Sequence, residues 1–356
     1  MSNLTLAAVA IAGALDVNQT GELLLDQDTV NANTLTLNEV NMFFHRARVD
    51  LENGSTLQVN GDMSNAGAII AGAVGGGNTM RVNGTITNEY FGNIYLSGSS
   101  AIYVGGDVTN IHGGFGSGGA GGNTISVGGR LYNEAMSGFS VYGPGDTATF
   151  GSIDNSGRSV VSVTGGSSLH VSGDVNNRSG NITLGWEGSS GNTIWVDGTL
   201  NNQEGSVLGV YGPQNAATIG KLVNTEYSSV VVGPGARVTT SNLLTTASLE
   251  IDISGSHDFG VIDVNGPVAL SGYLIGNVED HFGASDGELF KFLTFAPGEL
   301  TGTFTNVEGN QKWSVIYDNA DGYVELESLN PEPGTLIMFG SGIIGLAVVL
   351  RRKINL

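Results

Sequence analysis

The chain has no cysteine in its 356 residues. That excludes a disulfide framework and any thiolate metal site. Positive charge is also scarce: 13 Lys and Arg stand against 33 Asp and Glu, for a formal net charge of −20. Three of the basic residues, Arg351, Arg352 and Lys353, fall in the last six positions, so the rest of the chain is more acidic still. A body of this sign repels phosphate backbones, which sets nucleic acid aside as a partner, while cations such as Ca²⁺ gather around it. Composition that favours helices is missing. Charged residues make up only 13%, yet a hydrophobic fraction of 40% is too high for a disordered chain.

Chemical motifs are absent too. The histidines His45, His112, His170, His257 and His281 are scattered, with no H-E-x-x-H pair. There is no G-x-S-x-G nucleophile elbow. Gly114, Gly116 and Gly119 fit a G-x-G-x-x-G spacing, but they lie in the run GGFGSGGAGG with no helix pattern after it, which predicts a loop or a coil bulge. That run also lacks the Asp of Ca²⁺-binding nonapeptide repeats. The expectation is no catalytic residue, no metal and no cofactor.

What the chain has is glycine, 57 residues of it, and a repeat. STLQVNGDMSN ends at Asn65, NTMRVNGTITN at Asn88, SAIYVGGDVTN at Asn110, NTISVGGRLYN at Asn133, SSLHVSGDVNN at Asn177 and NTIWVDGTLNN at Asn202. Shorter copies end at Asn155 and Asn224, and weaker ones at Asn18 and Asn41. Successive steps are 23, 24, 23, 22, 23, 22, 22, 25 and 22 residues, the mark of a solenoid. Inside each copy apolar residues alternate with period 2, so the unit is a strand. One column runs Leu57, Met80, Ile102, Ile125, Ala148, Leu169, Ile194, Ala217. The next runs Val59, Val82, Val104, Val127, Phe150, Val171, Val196, Ile219, and a third from Met63 to Leu222. Coils stacked ~4.8 Å apart place these columns in one continuous core. The fold class predicted is all-β, a parallel β-helix of about ten coils and roughly 50 Å. Its pattern resembles autotransporter-type passenger domains, a likeness of architecture only.

The glycine between the second and third columns (Gly61, Gly84, Gly106, Gly129, Gly173, Gly198) predicts a bend that needs positive φ or close packing. The recurring Asn predicts a hydrogen-bonded ladder combined with a left-handed turn role. Asp62, Asp107 and Asp174 follow the bend glycine in coils that are not adjacent, so the nearest pair is roughly 10 Å apart along the axis, too far for one ion. They are expected to be solvated turn carboxylates. Outward-facing residues between the first two columns run Gln58, Arg81, Tyr103, Ser126, Thr149, His170, Trp195, Thr218. Arg81, Tyr103, His170 and Trp195 are the candidate carbohydrate contacts, because aromatic faces on a flat sheet stack on sugar rings. The plainer account is that aromatics favour strands. Tyr142 and Tyr211 recur in the turn motif V-Y-G-P.

From about Leu243 the period fades and aromatics collect: Phe282, Phe290, Phe292, Phe295, Phe304, Trp313 and Tyr317. Bulky residues there predict a β cap over the last open coil, with a small β-sandwich as the alternative. The division expected is coils over 1–242, cap over 243–329 and a tail over 330–356. In that tail Pro331-Glu332-Pro333 precedes seventeen uncharged residues, Gly334 to Leu350, followed by Arg351, Arg352 and Lys353. Seventeen helical residues span roughly 25 Å, the short limit for a single transmembrane helix. The cationic end forms the cytoplasmic stop and puts the body outside.

This three-part tail resembles the PEP-CTERM protein-sorting domain, with Gly334 where the family commonly has Ser or Ala. The resemblance implies an exosortase-type processing enzyme as partner, an inner-membrane stage before processing, and a final place at the cell surface or outside a Gram-negative cell that makes exopolysaccharide and biofilm. At the other end Leu4 to Leu15 is apolar, but no basic residue occurs before Arg46, so the stretch fits the repeat better than a signal peptide. The expectation is that an export signal lies upstream of Met1. Two functions follow: an exported structural or adhesive protein of an exopolysaccharide matrix, or a β-helix polysaccharide lyase or glycosidase. Clustered carboxylates on one face of the stack favour the second, scattered acids the first.

Overall fold

A computed structural model of the chain describes residues 3–5, 9–10, 13–18, 21–41, 45–186 and 188–329. The sorting motif, the apolar span and the basic end lie outside them. The described residues form a parallel β-solenoid of about 11 turns, with no helix among them. Each regular coil carries three short strands. In one coil these are Thr79–Val82, Ile86–Asn88 and Asn93–Leu96, called here the first, second and third strands. Each pairs in parallel with the same strand one coil away.

The register is the one the columns demand. Val59 pairs with Val82, Val82 with Val104 and Val104 with Val127, so like residues lie over like. All four are buried, as are Met63, Ile86, Val108 and Leu131 on the second strand. The third strand adds a column that the sequence count did not isolate: Ile69, Ile94, Phe115, Phe139, Val161, Ile182. Phe115 and Phe139 stack with ring centroids 5.6 Å apart, and Phe139 meets Phe150 edge-on at 5.0 Å. No coil can bury these faces alone; its neighbours do so.

The asparagines form a continuous ladder. The Asn65 amide donates to Asn88 Oδ1 at 2.6 Å, and the pattern repeats through Asn110, Asn133, Asn155, Asn177, Asn202 and Asn224, ending on Thr245 Oγ1. From Asn88 to Asn224 each also donates to a third-strand carbonyl of the next coil, as Asn133 does to Val160 at 3.0 Å. These residues are fully buried and none has positive φ, so the turn role expected for them is not there. The register sets Asn18 and Asn41 off the ladder position. Val17 pairs with Leu37 and Leu37 with Asn65, so apolar residues hold that column in the first coils.

The bend glycines serve close approach, not positive φ. A Cβ on Gly129 would lie 2.1 Å from Asp107 Oδ1 and 2.7 Å from the Gly106 carbonyl of the preceding coil. The glycine-rich run also departs from expectation. Gly114–Ser117 is a third strand with Phe115 in the core, and only the following residues turn. Gly116 lies so close to the next coil that a Cβ would sit 2.2 Å from the Ser140 carbonyl.

The N-terminal segment follows the repeat: Asn3–Thr5, Val9–Ala10 and Ala14–Asn18 each pair in parallel with the next coil. Beyond residue 242 parallel pairing continues, through Ser248–Gly255, Tyr273–Val278 and Asn306–Gly309. The period fades there because the turns lengthen, one into a short antiparallel excursion from Ile253 to Phe259. At the far end Tyr323–Ser328 lies antiparallel between Leu289–Thr294 and Trp313–Asp318. Phe290 and Phe292 are fully buried beneath it, with Phe259, Phe282 and Trp313 edge-on around Phe290.

Candidate functional site

Strand alternation turns every second residue of the first strand outward. The register joins Gln58, Arg81, Tyr103, Ser126, Thr149, His170, Trp195 and Thr218 into one unbroken outer column. The four candidate contacts fall into two pairs within it. The Arg81 guanidinium lies 4.2 Å from the Tyr103 ring centroid. The His170 and Trp195 rings meet edge-on at 6.1 Å, and His170 Nε2 is 3.0 Å from Asp197 Oδ2. Ser126 and Thr149 separate the pairs, so Tyr103 and His170 stand three coils, ~14 Å, apart. Trp195 is 57% exposed, a large aromatic surface left to solvent, and it borders a shallow groove with Ser168, Thr193 and Asp197.

Asp62, Asp107 and Asp174 do not converge. Each carboxylate accepts a backbone N–H one coil on: Thr85 at 2.8 Å, Arg130 at 2.8 Å and Thr199 at 2.7 Å. The Thr85 N–H and hydroxyl hold the Asp62 carboxyl below the usual range. These acids organise the bend.

Three features escaped the sequence reading. A second buried polar column precedes the first strand: Ser55, Asn78, Ser100, Asn123, Asp146, Ser167, Asn192, Asn215. Asn78, Asn123 and Asn192 cap backbone amides of the neighbouring coil, as Asn123 does Ser100 N at 3.0 Å. The first letter of each repeat copy carried that signal. The corner between second and third strands displays bulky residues at positive φ, including Tyr90, Phe91, His112, Met136 and Tyr227. Phe91, His112 and Met136 line a shallow groove there, and Tyr227 is 99% exposed. Such side chains cost more than glycine in that conformation.

The third feature is a carboxylate pair. Glu250 and Asp252 are i and i+2 on a third strand, so both point outward from one face. The Asn277 side-chain amide donates to Glu250. The Tyr211 ring lies over Gly209 and meets Trp186 edge-on at 6.4 Å. Burial, and next the Glu250 charge, push the Asp252 carboxyl up to about 6. Burial also raises Glu250, and raises Tyr211 together with the charges of Asp252 and Glu250. The alternation in LEIDIS was the available signal. Among the described residues no group of three or more His, Asp or Glu is placed to hold a metal ion.

The tail is decided by comparison. Residues 331–353 match the family model of the PEP-CTERM protein-sorting motif. The chain carries a PEP-CTERM sorting signal. That signal implies export, membrane anchoring before processing, and processing by an exosortase-type enzyme. It covers Pro331, Glu332, Pro333 and the basic cluster Arg351, Arg352 and Lys353. No curated protein matches the chain. The PEP-CTERM match names the route of the protein, and the solenoid is the body that travels it.

Proposed function

We propose that the protein is a non-enzymatic structural or adhesive component of the cell surface, released or transferred after sorting, whose rigid outer face binds extracellular polysaccharide. The observation that carries this reading is the outer column of the first strand. It holds Trp195 and Tyr103 on a flat, stacked sheet beside polar partners, in a protein addressed to the outside. An aromatic face takes the apolar side of a pyranose, and neighbouring Arg81, His170 and Asp197 offer bonds to hydroxyls. The antiparallel strands Leu289–Thr294, Trp313–Asp318 and Tyr323–Ser328 serve as the cap, and Gly334 to Leu350 as the temporary membrane anchor. Pull-down on exopolysaccharide from a biofilm-forming host tests the surface. Tyr103→Ala with Trp195→Ala is expected to lose retention at least tenfold; unchanged retention removes this face from the account.

A second reading is supported by Glu250 and Asp252. Two carboxyls on one face, both raised by burial, beside aromatic side chains are the elements of an acid–base glycosidase. Release of new reducing ends from polysaccharide, abolished in both Glu250→Gln and Asp252→Asn, would replace the structural reading with an enzymatic one.

A further inference from the structure

The corner between second and third strands gathers apolar side chains into a ridge along one edge of the rod. Tyr90, Phe91, Met136 and Tyr227 are half or more exposed there, all at positive φ. Val160 and Tyr273 join them from the starts of the third strands Val160–Thr164 and Tyr273–Val278. A shallow groove lies between Phe91, His112 and Met136 toward one end, and another between Tyr227 and Tyr273 toward the other. At ~150–250 Å² for a whole aromatic side chain, the ridge exposes on the order of 600 Å² of apolar surface. A stable pair of proteins takes about 800 Å² from each partner, polar rim included. An exposed apolar patch of this size marks an interaction surface.

Charge along the ridge has an order. Going up the coils, Tyr90 and Phe91 follow Asn88, Met136 follows Asn133, Arg158 follows Asn155, and Arg178 with Ser179 follows Asn177. Glu204 then follows Asn202, Glu226 and Tyr227 follow Asn224, and Tyr273 stands two coils farther on. Backbone bonds hold these corners one over the next: Phe91 N to the His112 carbonyl at 2.9 Å, Arg158 N to Ser179 at 2.7 Å, Gly205 N to Glu226 at 2.9 Å. The ridge therefore reads apolar, basic, acidic, apolar. The side chains of Arg158, Arg178, Glu204 and Glu226 are exposed, and none has an ion pair or hydrogen bond among the described residues.

We propose that this ridge binds the same ridge of a second copy, side by side and antiparallel, about a two-fold axis at Ser179. Turning one copy end for end about that coil sets Arg158 level with Glu204 of the second copy. It sets Met136 level with Tyr227, and Tyr90 and Phe91 level with Tyr273. Two like pairs also come level: Arg178 with its own copy at the axis, and the half-buried Glu134 with Glu226. Each finds an opposite charge one coil, ~4.8 Å, away, Arg178 in Glu204 and Glu226 in Arg158. A parallel pair in register would instead put Arg158 on Arg158 and Glu204 on Glu204, which repel. The two-fold contact uses one patch twice and closes at two copies.

The chain has no cysteine, so single introduced cysteines report the contact. In the full chain in detergent, Ser179→Cys is expected to form a disulfide-linked dimer on mild oxidation. Met136→Cys and Tyr227→Cys are each expected to stay unlinked alone, because Met136 and Tyr227 are four coils, ~19 Å, apart along the axis. Mixed, the two variants are expected to link to each other. Met136→Cys linking to itself would mean a parallel pair, and linking at none of the three sites would mean that the ridge is no interface; either overturns the proposal. Sedimentation gives a second readout. Arg158→Glu is expected to weaken dimerisation about tenfold or more, and adding Glu204→Arg to bring it back to within about threefold. A dimer indifferent to Arg158→Glu is held elsewhere, and the proposal fails with it.

Discussion

Two columns run along the same coils with the same period, and they obey different rules. Inside, the position at the end of the second strand is asparagine in every coil from Asn65 to Asn224. Outside, the middle of the first strand changes at each step: Gln58, Arg81, Tyr103, Ser126, Thr149, His170, Trp195, Thr218. Stacking at ~4.8 Å brings like positions together in both. It enforces identity only where a side chain must be satisfied by its own copy. The carboxamide carries donor and acceptor at once, so one Asn completes the next with no water. An outward group is completed by solvent and is free to differ.

The largest effect should come from interrupting the inner column. Asn133→Leu removes the acceptor for Asn110 and the donor to both Asn155 and Val160. Buried partners left unpaired predict a loss of about 2–4 kcal/mol in urea unfolding followed by circular dichroism. Asn65→Leu should cost roughly half as much. Asn65 ends the ladder, and its neighbour in the preceding coil is already Leu37. Equal losses at the two sites would mean that each amide acts alone and the column is no ladder.

Next is the bend. Gly129→Ala places a methyl against Asp107 Oδ1 and the Gly106 carbonyl. The expected cost is about 1–3 kcal/mol. Asp107→Ala in the same background should recover part of it, since the carbonyl contact remains. Full recovery would assign the whole glycine requirement to the carboxylate.

The same contrast explains what was legible. Columns that repeat in identity and in spacing were visible, which fixed the strands, the solenoid and the Val59–Val127 register. The third-strand column was not isolated because the corner before it varies in length: Ile69 follows Asn65 by four residues, Phe115 follows Asn110 by five and Ile94 follows Asn88 by six. Asn18 and Asn41 matched by letter and failed by register, since the strand Thr34–Asn41 runs on past the ladder position. Beyond Leu243 the turns grew while pairing persisted, so a fading period hid a continuing stack. On the outside no repeat exists to be counted. The four candidate contacts came from residue type alone, and Glu250 with Asp252 was passed over although strand alternation had placed both on one face.

Asp252 tests where the outer rule stops. The folded carboxyl keeps its proton up to about pH 6, whereas an unfolded Asp gives it up near 3.9. Between those values the folded state binds more protons, so stability falls as pH rises through the window. Asp252→Asn should remove that fall. With solvent screening discounted, the gain is about 1 kcal/mol at pH 7 and close to nothing at pH 4. Thermal melts at the two pH values give the difference. A gain that is the same at both would mean that Asp252 ionises like a solvated acid.

The smallest effect should lie at the outer pair. Arg81 and Tyr103 touch, but both also reach water, and Thr149 serves the same column two coils on without any ring. A double-mutant cycle with Arg81→Ala and Tyr103→Ala should give a coupling of about 0.5–1 kcal/mol. Each single change should move the unfolding midpoint far less than Asn133→Leu does. A loss at Tyr103 as large as the ladder's would show that the ring holds the coil together. The outer column would then serve stacking, and its aromatics would no longer be spare for a ligand. A small loss leaves the ring's exposed face as an expense that stability does not explain, which is the condition a binding surface must meet.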